Sequence, residues 1–393
     1  MLSGIRIVSF THFLQGPSAT QLLADLGADV VKIESPAGAF ERSWSGPDAF
    51  VGDASVFFLL GNRNAQSVSI DLKSPKAKDV LLDLIDDCDV LIESFRPGAM
   101  ERLGFGYDEL AARNPRLVYC SLSGYGSDGP YRDRPGQDIL LQSLSGLAKA
   151  TGSADGPPTT VGASIIDQHG AVLGAFGILG ALMGRERTGK GCRVESNLLN
   201  AALDLQIEPL AYYLNGFRGE RSTTGIGSQY YKAPYGIYET ADGHLCVSIT
   251  APATLAQVFA DDWFATVAAD DEYSRREEIN ERVAKHLTAR TTTDWQAEFT
   301  AAGVWFASVN DYEAVINDPQ VRHNNSFIEF DYPGSGPVRV LGHPIRYDGV
   351  APNLRRLPPQ LGEHTTTVLS SLGVSDDDIT ALAQEGAIRV HQP

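Results

Sequence analysis

Apolar positions along the first 215 residues alternate between two rhythms. A short apolar run at 5–10 is followed by helical spacing over 18–26 and a second short run at 30–33. Helical spacing returns at 76–85, where Val80, Leu81, Leu84 and Ile85 share a face, and 90–92 reads as a third strand. A helix near 107–112, a strand at 117–122, a long apolar helix at about 168–185, a short strand at 193–196 and a helix over 198–214 complete the series. Strand-like runs alternating with helices of about ten residues or more imply parallel β-α-β units with right-handed crossovers. The pattern predicts an α/β fold whose large domain is a Rossmann-like, doubly wound parallel sheet over 1–215.

The rhythm breaks over 216–234, which is rich in Gly, Ser and Thr and reads as a linker or mobile loop. Beyond it, 235–249 alternates around Asp242-Gly243, a hairpin signal. Helical patterns near 253–260, 275–288 and 293–302, with a strand at 304–309, predict a smaller α+β domain over 235–325. The remainder, 326–393, is polar and rich in Pro and Gly, carries a hairpin around 333–337, and is expected to return to the large domain.

Composition narrows the function. The 393 residues are 43% apolar and 21% charged, an ordinary globular balance. With 49 acidic against 32 basic side chains the net charge is −17, which argues against a free-standing nucleic-acid binder. The longest apolar candidate, 171–183, falls short of the roughly 20 residues of a membrane span. The N-terminus lacks the basic flank and cleavage-like site of a signal peptide, so a soluble cytoplasmic protein is expected. Cys88, Cys120, Cys192 and Cys246 lie far apart without a C-x-x-C pair, and the eight histidines show no metal-ligand spacing. Neither a disulfide framework nor a metal is expected.

Two motifs tempt and fail. GYGSDG at 124–129 follows a strand as a dinucleotide fingerprint should, but Pro130 and YRDRPG follow it where a helix must open, so an NAD(P) oxidoreductase loses its main support. GRERTGKG at 184–191 resembles a phosphate-binding loop but has Gly191 where Ser or Thr would hold magnesium, and it follows a helix. A helix C-terminus closed by basic residues and a glycine explains it better. No G-x-S-x-G or H-E-x-x-H occurs.

Four local patterns together resemble the class III CoA-transferase family, the formyl-CoA transferase and carnitine CoA-transferase (CaiB/BaiF-like) group. They are Gly16-Pro17 with LLADLGADVVKIESP (22–36), DVLIESFRPGAMERLGFGYDEL (89–110), the run from LSGYGSDGP to VGASIIDQHG (122–170), and PPQLGEHT (358–365). They occur in the family's order and span most of the chain.

The resemblance implies an enzyme of the EC 2.8.3 type that passes CoA from an acyl-CoA to a free carboxylic acid through an aspartyl anhydride and an aspartyl-CoA thioester. Its nucleophile position falls on Asp167 in GASIIDQHG. A plain helix N-cap is the other reading of Asp167, which stands just before a long apolar helix. Gln15 lies beside the slot where several relatives carry a Gln that contacts the acyl-enzyme; Leu14 occupies the slot itself. CoA contacts are expected at Leu14, Arg42, Arg63, Ser94, Phe95, Arg96, Arg102, Gln137 and Asp138. Gly225 and Gly227 match the position of a glycine-rich loop that closes over the site, with two glycines instead of four. The usual basic pair after Asn64 is replaced by Ala65-Gln66-Ser67. No tightly bound cofactor and no metal are implied, and an interlocked homodimer is.

An α-methylacyl-CoA racemase shares this fold, but its His belongs in a G-H-D segment that here reads Gly136-Gln137-Asp138. Glutamine is no general base at neutral pH. A catalytically silent acyl-CoA binding protein is the remaining alternative.

Overall fold

Val8 and Phe10 face one side of a sheet and Ile7 the other, and the same alternation separates Leu91 from Val90 and Ile92. Both faces are therefore covered, as a parallel sheet requires. The computed structural model describes residues 1–391 and divides into two units. One comprises Met1–Leu144, Ala163–Leu205 and the chain from Arg322; the other comprises Ser145–Gly162 and Gln206–Val321. The sequence reading kept 145–162 and 206–215 in the large domain, whereas this division groups them with the smaller unit.

In the large unit, strands Arg6–Phe10, Asp29–Glu34, Ala65–Ile70, Val90–Glu93, Val118–Ser123 and Arg193–Asn197 run parallel. Numbered along the chain, they lie side by side in the order 3-2-1-4-5-6, that of a doubly wound dinucleotide fold. Ile388–Arg389 adds an antiparallel edge strand beside Ala65–Ile70. Helices Pro75–Asp86 and Tyr107–Arg113 cover the Val8 face through Leu81, Ile85 and Leu110. Helices Gln15–Asp25 and Ile165–Thr188 cover the Ile7 face through Ala19, Leu23, Ala171, Ala175 and Ile178.

The Ile165–Thr188 helix starts three residues earlier than its sequence pattern suggested and is long and apolar enough to cross a membrane. One face of it packs into the core through Ala171, Ala175, Ile178 and Leu182. Gly174 and Gly177 lie so close to Leu122 and Val194 that added methyls would stand 3.0 and 2.8 Å from those side chains. Gly189, at φ 71°, ends it by donating to the Arg185 carbonyl, so the 184–191 motif is a helix terminus. GYGSDG opens no helix, and Gly124 packs against the backbone of Gly136.

The order of strands reverses between Arg6–Phe10 and Val90–Glu93. Open α/β sheets hold ligands outside the carboxyl ends of the strands at such a switch point. Residues 11–14 and 94–98 flank that crevice.

The smaller unit has an antiparallel sheet with His244–Val247 between Gly236–Glu239 and Phe306–Ser308. Helices Pro252–Phe259, Arg276–Leu287 and Thr292–Ala302 enclose a core that includes Leu245, Val247, Phe264, Val283 and Phe299. The Asp242-Gly243 turn joins two of its strands, as the alternation predicted. The later hairpin, Phe327–Tyr332 with Gly336–Leu341, belongs to the large unit.

Candidate active site

Asp167 does not cap its helix; it is the third residue of Ile165–Thr188, and Ser164 precedes the first turn. The exposed amides of that turn are met from elsewhere, because Asp138 Oδ2 accepts from the Ile166 and Asp167 N–H groups at 2.7 and 3.0 Å. Gln142 Nε2 holds the other Asp138 oxygen at 2.5 Å. Asp138 is therefore a capping carboxylate supplied from another helix.

With its amide satisfied by Asp138, Asp167 has a carboxylate that accepts no hydrogen bond among the described residues. Burial, and then the charge of Asp138, push its pKa up to about 7. Ionisation is therefore itself part of activation.

Gln15 begins the neighbouring helix and is buried, yet its Nε2 has no partner among the described residues. An orphaned buried donor costs about 1–3 kcal/mol and marks a site that expects a ligand or strains for one. The amide presses on Gly170, where a methyl would stand 2.7 Å from Nε2. Gly170 is three residues after Asp167 and so lies on the same helix face. A nucleophilic carboxylate and an unspent N–H donor thus flank one strip of the helix, the pairing needed for attack on a carbonyl whose oxygen gains charge. Leu14, the residue before the Gln15 helix, is buried in protein.

At the switch point, the His12 ring stacks on Phe95 with centroids 4.8 Å apart, and the His12 N–H donates to Ser94 Oγ at 3.2 Å. Burial, reinforced by Lys32, lowers the His12 pKa and keeps the ring neutral. Lys32, itself buried, donates to the Thr11 carbonyl at 2.8 Å and to Glu41 at 3.2 Å, bracing this loop from beneath. Beside the crevice is a cavity of about 160 Å³ at the ends of the fourth to sixth strands; Glu93, Arg96, Ser121, Arg132, Arg193 and Asn197 are among its lining. Burial pushes Glu93 up to about 7 there.

The four expected arginines divide. Arg42 forks onto Glu34 at 2.6 and 2.7 Å and reaches the Pro359 carbonyl. Arg63 is buried and forks onto Asp25 at 2.6 and 3.0 Å, with the Leu341 carbonyl as a third partner. Their guanidiniums are engaged by the framework. Arg96 and Arg102 are exposed and have no side-chain partner among the described residues. Gln137 is exposed and offers its carbonyl to the Leu140 and Leu141 amides.

Gly225 and Gly227 lie in the smaller unit and are explained by packing. A methyl on Gly225 would stand 2.5 Å from the Tyr238 ring, and one on Gly227 would collide with the Tyr235 carbonyl. Ile226 between them exchanges backbone hydrogen bonds with Ile237 at 3.3 and 3.0 Å. This loop is pinned to a strand, so its glycines reflect close approach and give no sign of a lid.

His169 bonds Asp204 at 2.7 Å and lies about 200° around the helix from Asp167, so the two do not form a facing base pair. Among the described residues no group of three or more His, Cys, Asp or Glu could hold a metal. Gly170, Lys32, His12 and Arg132 were not singled out from sequence. Only Gly170, at helical spacing from Asp167, carried a signal there.

Residues 2–365 match the family model described as CoA-transferase family III. The chain is 32% identical to the succinyl-CoA:glutarate CoA-transferase of Mus musculus over all of its own length and 91% of that protein. It is 34% identical to the acetyl-CoA:oxalate CoA-transferase of Acetobacter aceti, covering 92% of each. The crystal structure of a CaiB/BaiF family protein from Brucella suis superposes with a TM-score of 0.81 at 28% identity, covering 94% of this chain and 99% of that one. The Rv3272 structure from Mycobacterium tuberculosis, orthorhombic form, gives 0.82 at 30% identity over 93% and 98%. The family model and these relatives each span most of the chain, and the chain belongs to CoA-transferase family III.

Proposed function

We propose that this CoA-transferase works through Asp167 as a covalent nucleophile. The observation that carries the reading is the unpartnered Asp167 carboxylate on the helix face whose Gly170 meets the unpartnered Gln15 amide. A carboxylate oxygen of Asp167 attacks the thioester carbon, the C–S bond breaks, and CoA leaves as thiolate, giving a mixed anhydride. The thiolate then attacks the aspartyl carbonyl, releasing the donor acid and leaving an aspartyl-CoA thioester. The acceptor carboxylate displaces the thiolate to form a second anhydride. Thiolate attack on the acceptor's acyl carbon gives the new acyl-CoA and restores Asp167. One thioester replaces another, so the exchange is close to thermoneutral and needs neither ATP nor metal. Gln15 donates to the oxyanion formed in these additions.

Relatives named for succinyl-CoA, glutarate and oxalate make short dicarboxylic acids the first acceptors to test. Val172, Phe176 and Met183 form an exposed apolar stripe on the nucleophile helix, which supports assembly with a second copy in the expected interlocked homodimer. Cytoplasmic placement fits acyl-CoA substrates.

The test is mass spectrometry of the quenched, digested protein after incubation with a panel of acyl-CoAs. A CoA or acyl adduct on the Asp167 peptide, absent from Asp167→Ala, is expected. Absence of any adduct together with deuterium exchange at the substrate α-carbon would replace this reading with a racemase.

A further inference from the structure

Between Thr11 and Gly16 only Phe13 is exposed, and its backbone lies in the left-handed region at φ 62°. A large side chain keeps that conformation only where its surroundings impose it. The restraint comes from a buried ion pair that the chemistry proposed above leaves unused. Lys32 Nζ donates to the Thr11 carbonyl at 2.8 Å and to Glu41 Oε1 at 3.2 Å. Glu41 Oε2 accepts the Phe13 N–H at a longer 3.4 Å. One ammonium and one carboxylate thus grip the backbone on both sides of His12.

The grip is passed on toward Gln15. Thr11 Oγ1 bonds Ser9 Oγ at 2.8 Å, and Thr20 Oγ1 donates to the Gly16 carbonyl at 2.8 Å. Thr11 packs so closely on Gly16 that a methyl there would stand 2.5 Å from Thr11 Cβ. The placement of Thr11 therefore fixes Gly16 and the adjoining Gln15, whose amide meets Gly170 on the nucleophile helix. A buried ion pair is weak evidence for stability, since apolar side chains of similar volume often serve as well. This one does what they cannot, because a carboxylate presents separate oxygens to the Phe13 amide and to Lys32. Glutamine at 41 would turn an NH2 toward one of those two donors.

We propose that Lys32 and Glu41 are positioning residues, which hold Phe13 left-handed and so aim the Gln15 amide at the Asp167 face of the nucleophile helix. The proposal rests on the oxyanion role given to Gln15 above.

Steady-state rates of the full chain, with succinyl-CoA as donor and glutarate as acceptor, test this. Glu41→Gln should lower kcat about tenfold through misplacement of Gln15, with KM for succinyl-CoA within about twofold of wild type. In a Gln15→Ala background the same change should cost nothing further, because residues that act as a unit are not additive. Adding Phe13→Gly to Glu41→Gln should regain most of the loss, since glycine adopts the left-handed conformation unaided. Lys32→Met with Glu41→Leu removes both charges together, so the fold survives in circular dichroism while kcat falls as in Glu41→Gln. Unchanged turnover in that paired variant overturns the proposal even where Glu41→Gln does not fold. An equal loss from Glu41→Gln with and without Gln15 overturns it too, and leaves the oxyanion reading intact. Full kcat in Gln15→Ala alone removes the oxyanion reading and the proposal with it.

Discussion

Replacing Asp167 with Asn removes one titration from the folded protein and leaves the shape of the side chain nearly intact. Asp167 is raised from 3.8 to about 7 by burial and by the charge of Asp138. Below about pH 4 the carboxyl is protonated whether the chain is folded or not, so it costs nothing. Between the two values the unfolded chain has released the proton and the folded one retains it, and folding loses free energy as pH rises. Above pH 7 the full penalty is present, at most roughly 4 kcal/mol from a shift of about three units. Remaining solvent contact reduces that figure. The Asn variant has no such slope. Chemical denaturation of both proteins at pH 5 and pH 8, at one protein concentration, should show wild type losing about 2–3 kcal/mol relative to Asp167→Asn. All other titrating groups are common to both and cancel. A gap that is the same at both pH values would mean that Asp167 titrates as an ordinary surface carboxyl, and the account of its burial would be wrong.

The same shift gives a kinetic expectation: kcat/KM should climb about tenfold per pH unit below 7 and level off above it, because only the carboxylate attacks. Gln15→Ala should lower kcat by about 10²–10³ with little loss of stability, since an orphaned buried amide is removed; equal kcat would exclude it from the oxyanion site. Gly170→Ala, whose methyl would sit 2.7 Å from that amide, should reduce kcat while folding normally by circular dichroism. Arg63→Ala should cost about 3 kcal/mol in denaturation by leaving buried Asp25 only Asn64 and His343 as partners, with CoA affinity retained by the folded fraction. Arg102→Gln should do the reverse, raising KM for acyl-CoA without a change in stability.

The strand and helix rhythm of the large unit was legible because each element buries a repeating face, and that repetition is local. The partners of the arginines were not. Arg63 meets Asp25 from 38 positions away, and Arg42 also reaches Pro359 near the far end of the chain, so no local pattern separates either from a ligand-binding arginine. Nothing local in sequence separated the roles of Asp138 and Asp167. The fold gives one the other's amide to cap and leaves the second bare. Asp167 itself became readable only through resemblance, since a buried carboxylate before an apolar helix is otherwise a cap. The small unit's glycines are a similar case, because only the structure shows Tyr238 against Gly225.

The edge strand Ile388–Arg389 pairs with Ser69 and Ile70, so during synthesis that stretch of the main sheet's border stays unpaired until residues 388–389 emerge. The 206–321 segment of the smaller unit is complete before that moment, and the large unit cannot be, because its remaining piece starts at Arg322. Synthesis therefore passes through an interval in which an unpaired piece of sheet edge faces other nascent chains. Deleting residues 388–389 should leave that piece unpaired permanently, and the defect would surface as poor yield before any change in turnover.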